Sequence, residues 1–495
     1  MLFTTAPFLL VFLPITLAGF FLFGRWLPRQ AATWLFAASL FFYGYWMPVF
    51  VGLLLASITF NYLIAQRIVH HVRIGPELVA KCWLWLGLAV NLLVLAYFKY
   101  ANFIVDNLNA FAGTGWYLGN IVLPIGISFY TFTQIAYLVD AYEAKVNETN
   151  PVHFGLFVTY FPHLVAGPVL HHAQMMPQFA DQSIYRPRAD NLVGGLAILT
   201  LGLFKKVVLA DGLSPYADAV FSAADAGIRL DAGEAWLGAI AYSLQLYFDF
   251  SGYSDMAIGL SRMFNVKLPF NFSSPYRARN ISDFWRCWHM SLSQFLRDYL
   301  YIPLGGNRFG PVRRYLNLSI TMVLGGLWHG ASWSFVIWGA LHGVYLMTHH
   351  GFRAMLGDRL RQRLDDNMAY GMASWVLTLF AVLLAWVFFR AQTLAGALHM
   401  IATMLTGTAS ASEPAAVLWN AGLPALRGWI WCGAVGAMAL LAANSNQAGN
   451  WLMGVLANGG WRVPLLAGAS LSAAGLLLLI NVARDSTSAF IYFNF

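Results

Sequence analysis

The sequence contains few charged residues. Of its 495 residues, 10% are Asp, Glu, Lys or Arg and 59% are hydrophobic, whereas about 25% of the residues in an average soluble domain are charged. Apolar runs recur along nearly the whole chain, and many are long enough to cross a hydrocarbon layer about 30 Å thick. The composition therefore excludes an ordinary soluble domain and predicts an integral membrane protein.

Cysteine is also scarce. Cys82, Cys287 and Cys432 lie far apart in apolar surroundings, a spacing that predicts neither a disulfide framework nor a metal cluster. Adjacent histidine pairs such as His171-His172 lack the spacing of a helical metal site and are predicted to be loop residues. We expect no metal ion and no bound cofactor.

The apolar runs lack the strict alternation of a membrane β-barrel, so helices are the structure that satisfies their backbone in lipid. We predict an all-α, polytopic transmembrane helical bundle of about 11–14 helices, some of them short or re-entrant. No internal repeat is visible, which counts against a secondary transporter. The simplest organisation is one membrane domain over residues 1–495.

The formal net charge is +8. In a membrane chain, excess Lys and Arg usually mark cytoplasmic loops, so we expect contact with the lipid bilayer and no nucleic-acid partner. The exception is an Arg-rich segment, residues 276–314, which has only Asp283 and Asp298 as acidic residues. Its basic residues are Arg277, Arg279, Arg286, Arg297, Arg308, Arg313 and Arg314. This segment is predicted to face the cytoplasm and to attract an anionic substrate.

A helix is predicted to begin within this segment. Asn280 suits the N-cap and Asp283 suits the first turn, where negative charge is favoured. Polar residues then follow at spacings of three, four and four, which places them on one helical face: Arg286, His289, Ser293 and Arg297. The pattern predicts one interfacial amphipathic helix, either part of a binding site or only a membrane anchor.

The helix is expected to stop in a loop at residues 301–308, because Pro303, Gly305 and Gly306 disfavour its continuation. Asn307 and Arg308 follow directly. Exposed backbone donors and a guanidinium both favour anions, so the loop is a candidate phosphate contact. It lacks the phosphate-loop consensus, and a plain re-entrant turn is the alternative.

His329 is the most informative single residue. It follows Trp328 in an apolar stretch, and an ionisable side chain at membrane depth is a functional candidate because its burial is costly. Gly325, Gly326 and Gly330 allow close backbone approach and favour a thin, irregular segment that lines a cavity. A neutral imidazole there could accept the proton of a hydroxyl nucleophile. The alternative is a hydrogen-bonded core histidine.

Other polar residues lie in apolar surroundings. Lys206 and Asp211 are predicted to pair near an interface, whereas Asp249 and Asp255 are predicted intramembrane carboxylates that need partners. We expect each to pair with an arginine of residues 276–314, or alternatively to orient His329. The aromatic tail, residues 489–495, could anchor at the interface or present Tyr492 as an acyl carrier.

Together these segments resemble the membrane-bound O-acyltransferase (MBOAT) family, in its bacterial polysaccharide O-acetyltransferase branch. The resemblance is carried by residues 123–142, 161–168, 202–211, 247–276, 280–308, 325–333 and 490–495. It implies the family fold, with His329 as the intramembrane catalytic histidine, His289 as a second functional histidine, and Trp328 in a supporting role.

The resemblance also implies an acetyltransferase. Acetyl-CoA is the expected co-substrate, bound through Arg286, Arg297, Asn307 and Arg308, and His329 is the expected general base. The acceptor would be an extracellular polysaccharide such as alginate or cellulose, reached directly or through Tyr492 and a periplasmic acetyltransferase or esterase-like partner. The chain would be a multi-pass protein of the bacterial inner membrane. Two alternatives remain: an acyl-carrier-protein donor, and a non-catalytic conduit or scaffold for polymer export.

Overall fold

The computed structural model describes residues 1–165, 167–407, 416–457, 460, 462–483, 490 and 491. These ranges contain helices and turns and no strand, which confirms the predicted all-α class. The helices are α1 (Pro7–Trp26), α2 (Pro28–Gly44), α3 (Pro48–Ile74), α4 (Glu77–Ala112), α5 (Ile127–Tyr142), α6 (Pro151–Thr159), α7 (His172–Ala180), α8 (Ala189–Asp225), α9 (Ala232–Met263), α10 (Ile281–Cys287), α11 (Met290–Leu296), α12 (Gly310–His329), α13 (Trp333–Met355), α14 (Asp358–Asp365), α15 (Met368–Arg390), α16 (Leu394–Thr406), α17 (Val417–Asn420), α18 (Ala425–Leu441), α19 (Ser445–Ala457) and α20 (Arg462–Val482).

Six helices in the described part of the chain are long and apolar enough to cross a membrane: α1, α3, α4, α8, α15 and α20. The pair α18 and α19 would add a seventh span if its 60° bend belongs to one broken crossing. Shorter helices such as α6, α10 and α11 lie between them. The chain is therefore a multi-pass membrane protein, as its composition predicted.

The chain divides into two compact units. Unit 1 comprises residues 1–203, 253–270 and 449–493, and unit 2 comprises residues 204–252, 271–448 and 494–495. The prediction that residues 1–495 act as a single membrane domain stays a prediction.

In unit 1, three buried amide side chains join neighbouring helices. Asn61 on α3 and Asn91 on α4 form a reciprocal pair, in which the Asn91 amide donates to Asn61 Oδ1 at 2.7 Å. The Asn61 amide also donates to Gln134 Oε1 on α5. Interhelical hydrogen bonds of this kind help to hold helices together in lipid, where burial of apolar surface supplies little attraction.

In unit 2, glycines set the close packing of α12 against α13. A Cβ atom on Gly326 would lie 2.2 Å from the carbonyl oxygen of Phe335, and one on Gly339 would lie 2.4 Å from that of Met322. The predicted close backbone approach is thus present. The predicted irregular segment is wrong, because α12 continues without a break to His329. The glycines serve helix packing, which small residues permit.

Unit 2 also contains a buried cluster of three charges. The Lys206 ammonium on α8 lies 2.8 Å from Asp211 Oδ1 and 2.6 Å from Asp249 Oδ1 on α9. Lys206 is 4% exposed and Asp249 is fully buried. The predicted pairing of Lys206 with Asp211 is confirmed, whereas the predicted arginine partner of Asp249 is wrong. A lysine near the middle of its membrane helix thus supplies the positive charge that a carboxylate buried in lipid needs as a partner.

We predict that Gly326→Ala separates α12 from α13. The added methyl group would meet backbone atoms, which cannot rotate away, so the variant should lose about 1–3 kcal/mol of stability. Thermal unfolding of the purified protein measures the loss. Gly351→Ala, on α13 where no atom lies within 4 Å of the added carbon, is the matched control. Equal unfolding midpoints for the two variants would contradict this account of the packing.

We predict that Lys206→Met is strongly destabilising. The variant leaves Asp211 and Asp249 close together without a cation, and removing one partner of a buried ion pair costs about 3–5 kcal/mol. Arg188→Met removes one partner of the exposed Arg188–Asp190 pair and should cost less than about 1 kcal/mol. A denaturation midpoint for Lys206→Met as high as that of the control would show that the cluster is not a charge pair of this kind.

Candidate functional site

His329 is the last residue of α12, and the following Gly330 adopts an extended backbone. The histidine is 5% exposed, so its ring lies inside unit 2. The short connection to α13 brings the first turns of that helix back against the end of α12. The sequence-predicted histidine is thus held at a helix end within a packed core.

Three aromatic rings contact the imidazole of His329. Trp328, Trp338 on α13 and Phe389 on α15 have ring centroids 4.9, 5.2 and 5.0 Å away, at interplanar angles of 70° or more. Perpendicular contacts from three elements fix the plane of the ring, and edge-to-face packing is the favoured geometry for such pairs. These contacts also keep water away from the imidazole, which strengthens any electrostatic interaction there.

His289 lies in the same part of unit 2, and Trp328 contacts both histidines. The Trp328 ring centroid is 6.3 Å from that of His289. Phe250 on α9 contacts His289 edge to face at 4.6 Å, and His289 is 1% exposed. The structure therefore brings together His289, Trp328 and His329, three of the residues that the sequence singled out.

The predicted amphipathic helix through His289 is wrong. The chain forms two short helices, α10 and α11, and between them Trp288 is extended and His289 has a φ of +43°. The break turns Trp288 into the core, where it packs on Phe284 and Trp386. Apolar burial of a large aromatic side chain thus outweighs helical continuity, and His289 is buried while Arg286 and Arg297 stay exposed.

The beginning of α10 agrees with the prediction. The Asn280 side chain accepts a hydrogen bond from the backbone N–H of Asp283 at 2.9 Å, as an N-cap does. Asp283 in turn pairs with Arg286 at 2.9 Å, and Arg297 pairs with its neighbour Asp298 at 2.8 Å. Both arginines keep most of their surface in solvent, with 75% and 61% of the side chain exposed.

The predicted loop after α11 is present. Gly305 and Gly306 have φ values of +107° and +55°, a conformation that favours glycine. Asn317 on α12 donates hydrogen bonds to the carbonyl oxygens of Leu304 and Gly306, so the loop is tied to a helix. Asn307 and Arg308 are exposed beside it. A role in phosphate binding stays a prediction.

The arginines of residues 276–314 act on the end of α13. Burial is the main cause that lowers the pKa of His350 to about 4, and Arg314, His349 and Arg286 contribute less. His350 is therefore neutral at neutral pH. Arg286 on α10 and Arg314 on α12 thus both act on a histidine near the end of α13.

The remaining predicted residues lie elsewhere. Asp249 is held by Lys206, and Asp255 is 3% exposed in unit 1. Tyr492 lies outside the described residues, as does most of the tail. Phe490, which is described, is 2% exposed and stacks on Tyr253 with ring centroids 4.5 Å apart.

Sequence reasoning missed several polar contacts. In unit 2, Asn271 contacts His289 at 3.2 Å between Oδ1 and Nδ1. In unit 1, His172 was expected in a loop, yet it begins α7 and its Nδ1 lies 2.9 Å from Asp140 Oδ2, with both side chains buried. Both pairs link residues distant in sequence, so no local pattern marks them. In unit 2, His342 Nδ1 also accepts a hydrogen bond from Trp285 Nε1 at 3.3 Å.

Comparisons with known proteins identify the family of this chain. The model of the membrane-bound O-acyltransferase family matches residues 32–391. The chain is 42% identical over 432 residues to a peptidoglycan O-acetyltransferase of Helicobacter pylori, covering 82% of this chain and 80% of that protein. It is 44% identical over 420 residues to a protein named probable alginate O-acetylase in Pseudomonas aeruginosa, covering 83% and 76%.

A more distant relative carries a different acyl group in its name. A teichoic acid D-alanyltransferase of Bacillus subtilis is 29% identical over 243 residues, covering 47% of this chain and 60% of that protein. These relatives are enzymes, so the alternative of a non-catalytic conduit or scaffold is not retained. The chain belongs to the membrane-bound O-acyltransferase family and is an O-acyltransferase.

Proposed function

We propose that this protein takes an acetyl group from acetyl-CoA on the cytoplasmic side of the bacterial inner membrane and delivers it for O-acetylation of an extracellular polysaccharide. The observation that carries the proposal is the buried His329 imidazole, held by three aromatic rings and joined to His289 through Trp328. A dry imidazole in a fixed orientation suits proton transfer to and from a hydroxyl group.

The proposed reaction balances at His329. The imidazole accepts the proton of a hydroxyl group, and the oxygen of that hydroxyl group attacks the carbonyl carbon of the thioester. The carbon–sulfur bond then breaks, and the imidazolium returns the proton to the departing thiolate of CoA. The products are an acetyl ester and free CoA, and the histidine ends in its starting protonation state. CoA itself need not cross the membrane.

The donor is supported by the positive charge of the Arg-rich segment, residues 276–314. Arg286, Arg297 and Arg308 expose their guanidinium groups to solvent, and guanidinium groups bind phosphates through charge-assisted hydrogen bonds. The phosphates of CoA match this chemistry. The side chain of Asn307, next to Arg308 on the tied loop, would add a neutral hydrogen-bond donor.

The acceptor class rests on the names of the relatives. Two of them are named for O-acetylation of alginate or peptidoglycan, and each is more than 40% identical to this chain over most of its length. We propose alginate or a chemically similar extracellular polymer, such as cellulose, as the acceptor. Because the polymer lies outside the cell and the acetyl donor lies in the cytoplasm, the proposed protein is a multi-pass protein of the inner membrane.

We propose that acetyl travels through Tyr492. A phenol has a pKa near 10, so its ester gives up the acyl group more readily than an alkyl ester and suits a covalent intermediate. Phe490, two residues before Tyr492 in the sequence, supports this route, because its buried ring stacks on Tyr253 in unit 1. A periplasmic acetyltransferase or esterase-like partner would collect the group from Tyr492. Direct transfer to the polymer is the other route.

A carrier-protein donor is the second candidate. The similarity to a D-alanyltransferase favours this candidate, because that relative is named for a different acyl group and this chain could likewise use a different acyl donor. Thiol release from purified protein distinguishes the two donors when acetyl-CoA and an acetylated carrier protein are supplied separately.

We predict that His329→Ala abolishes transfer while the protein still folds. Loss of a general base should slow CoA release about 10²- to 10⁴-fold, measured with a thiol reagent on purified protein supplied with acetyl-CoA. His70→Ala, an exposed histidine on α3, should retain the wild-type rate. Wild-type release of CoA by His329→Ala would remove the central residue of the proposal.

We predict that acetyl accumulates on Tyr492. Trypsin cleavage after Arg484 releases residues 485–495 for mass spectrometry after incubation with acetyl-CoA. The wild type should carry acetyl on this peptide, and neither His329→Ala nor Tyr492→Phe should do so. Tyr117→Phe, at an exposed tyrosine, is the control. Polymer acetylation at the wild-type level by Tyr492→Phe in cells would exclude the relay and leave direct transfer.

A further inference from the structure

The second histidine of the site has a defined hydrogen-bond partner. His289 Nδ1 lies 3.2 Å from Oδ1 of Asn271, which precedes α10. Asn271 is 1% exposed, so the contact is shielded from water. Which ring nitrogen of His289 carries the proton depends on which amide atom of Asn271 faces it, because a histidine can donate or accept at either nitrogen.

The backbone fixes the orientation of the Asn271 amide. The backbone N–H of Ser291 donates to the same Asn271 atom at 3.1 Å, and the Ser291 hydroxyl donates to it at 2.9 Å. A backbone N–H can only donate, so the atom that receives it must be the oxygen. Rotating the amide would set its NH₂ group against two donors. The oxygen therefore faces His289, and Nδ1 of His289 is the protonated nitrogen.

The other ring nitrogen then carries a lone pair. Nε2 of His289 is buried and has no hydrogen-bond partner among the described residues. Burial lowers the pKa of His289 to about 3, so the ring is neutral at neutral pH. A buried acceptor without a partner is unfavourable, which is a reason to expect that a bound molecule satisfies it.

The backbone at His289 is also held in an unfavourable conformation. Its φ of +43° lies in the left-handed region, which is strained for a residue other than glycine. Met290 N–H donates to the Asn271 carbonyl at 3.0 Å, so the same residue braces the backbone after the turn. Asn271 thus contacts the strained turn through both its main chain and its side chain.

We propose that Asn271 is a positioning residue that holds His289 as the Nδ1–H tautomer, so that Nε2 accepts a hydrogen bond from an O–H or N–H group of the bound substrate. This inference rests on the proposed function for the substrate, but the tautomer itself is independent of it. The group that donates this hydrogen bond is either the hydroxyl group that receives the acetyl group or an amide of the pantetheine arm of CoA.

The helices that contact His289 carry other titratable groups, and their positions can be compared with that of Asn271. Asp249 precedes Phe250 on α9 and is paired with Lys206. His329 follows Trp328 on α12. Phe250 and Trp328, next to these groups in sequence, contact the ring of His289. Arg286 lies three residues before His289 in the sequence, and it pairs with Asp283 in solvent.

The first test measures the tautomer without any substrate. Protein labelled with ¹⁵N-histidine gives separate resonances for pyrrole-type and pyridine-type nitrogens, and subtraction of the His289→Gln spectrum assigns those of His289. We expect a protonated Nδ1 and a bare Nε2 in the wild type, and a mixture of tautomers in Asn271→Ala. An Nε2–H tautomer in the wild type would overturn the proposal, whatever the protein transfers.

The second test uses turnover. Asn271→Ala should lower kcat about 10- to 100-fold, because a small misplacement of a reacting group has an effect of this size. Asn271→Asp keeps an acceptor for Nδ1 and should restore most of the activity. Its carboxylate should also raise the pKa of His289 and move the acidic limb of the pH profile to higher pH. Ser291→Ala, which leaves the backbone donor in place, is the matched control and should change kcat less than about threefold.

The two sources of the donor group give different results. If the pantetheine arm supplies it, Asn271→Ala also weakens binding of a non-hydrolysable acetyl-CoA analogue. If the acceptor hydroxyl supplies it, binding of the analogue is unchanged and only kcat falls. A loss of activity in Asn271→Asp as large as in Asn271→Ala, with no shift of the pH profile, would reduce Asn271 to a structural residue.

Discussion

The close packing of α12 against α13 is the contact on which the site depends. Gly326 and Gly339 let the two helix backbones meet at distances that exclude a Cβ atom. Because the helices are joined by only three residues, this contact also sets where Trp338 lies relative to His329. A wider separation would remove one of the rings that hold the imidazole. The spacing of two backbones therefore controls the environment of one titratable side chain.

Aromatic side chains pack around α12 and α13. Trp338 contacts His329 and His342, and it stacks on Trp386 of α15. Trp288 joins the same group of rings through Trp386. Large flat side chains fill the space between short helices, and each tryptophan also places one indole N–H donor there. His289 and His329 are thus both buried and in contact with aromatic side chains.

The sequence predicted the features that depend on local or near-local chemistry. The cap at Asn280, the turn at Gly305 and Gly306, and the Lys206–Asp211 pair all follow from residues a few positions apart. The importance of His329 followed from one ionisable residue in an apolar stretch, and its family role rested on a resemblance. The membrane class followed from composition alone.

Other features depended on contacts between distant segments. Helical periodicity placed His289 beside Arg286 and Arg297, but it carries no information about the core that receives Trp288, and that core breaks the helix. The partner of Asp249 was expected among arginines, whereas a lysine on another membrane helix holds it. Asn271 and Phe389 had no distinguishing local pattern. In each case tertiary packing decided the outcome, and periodicity describes only one helix at a time.

The left-handed backbone of His289 has a consequence for how this protein can vary. A glycine at that position would relieve the backbone strain, and an asparagine would tolerate it better than most residues. Backbone conformation alone therefore favours glycine or asparagine over the histidine. The proposed role of His289 acts in the opposite direction, because selection for turnover would retain the imidazole.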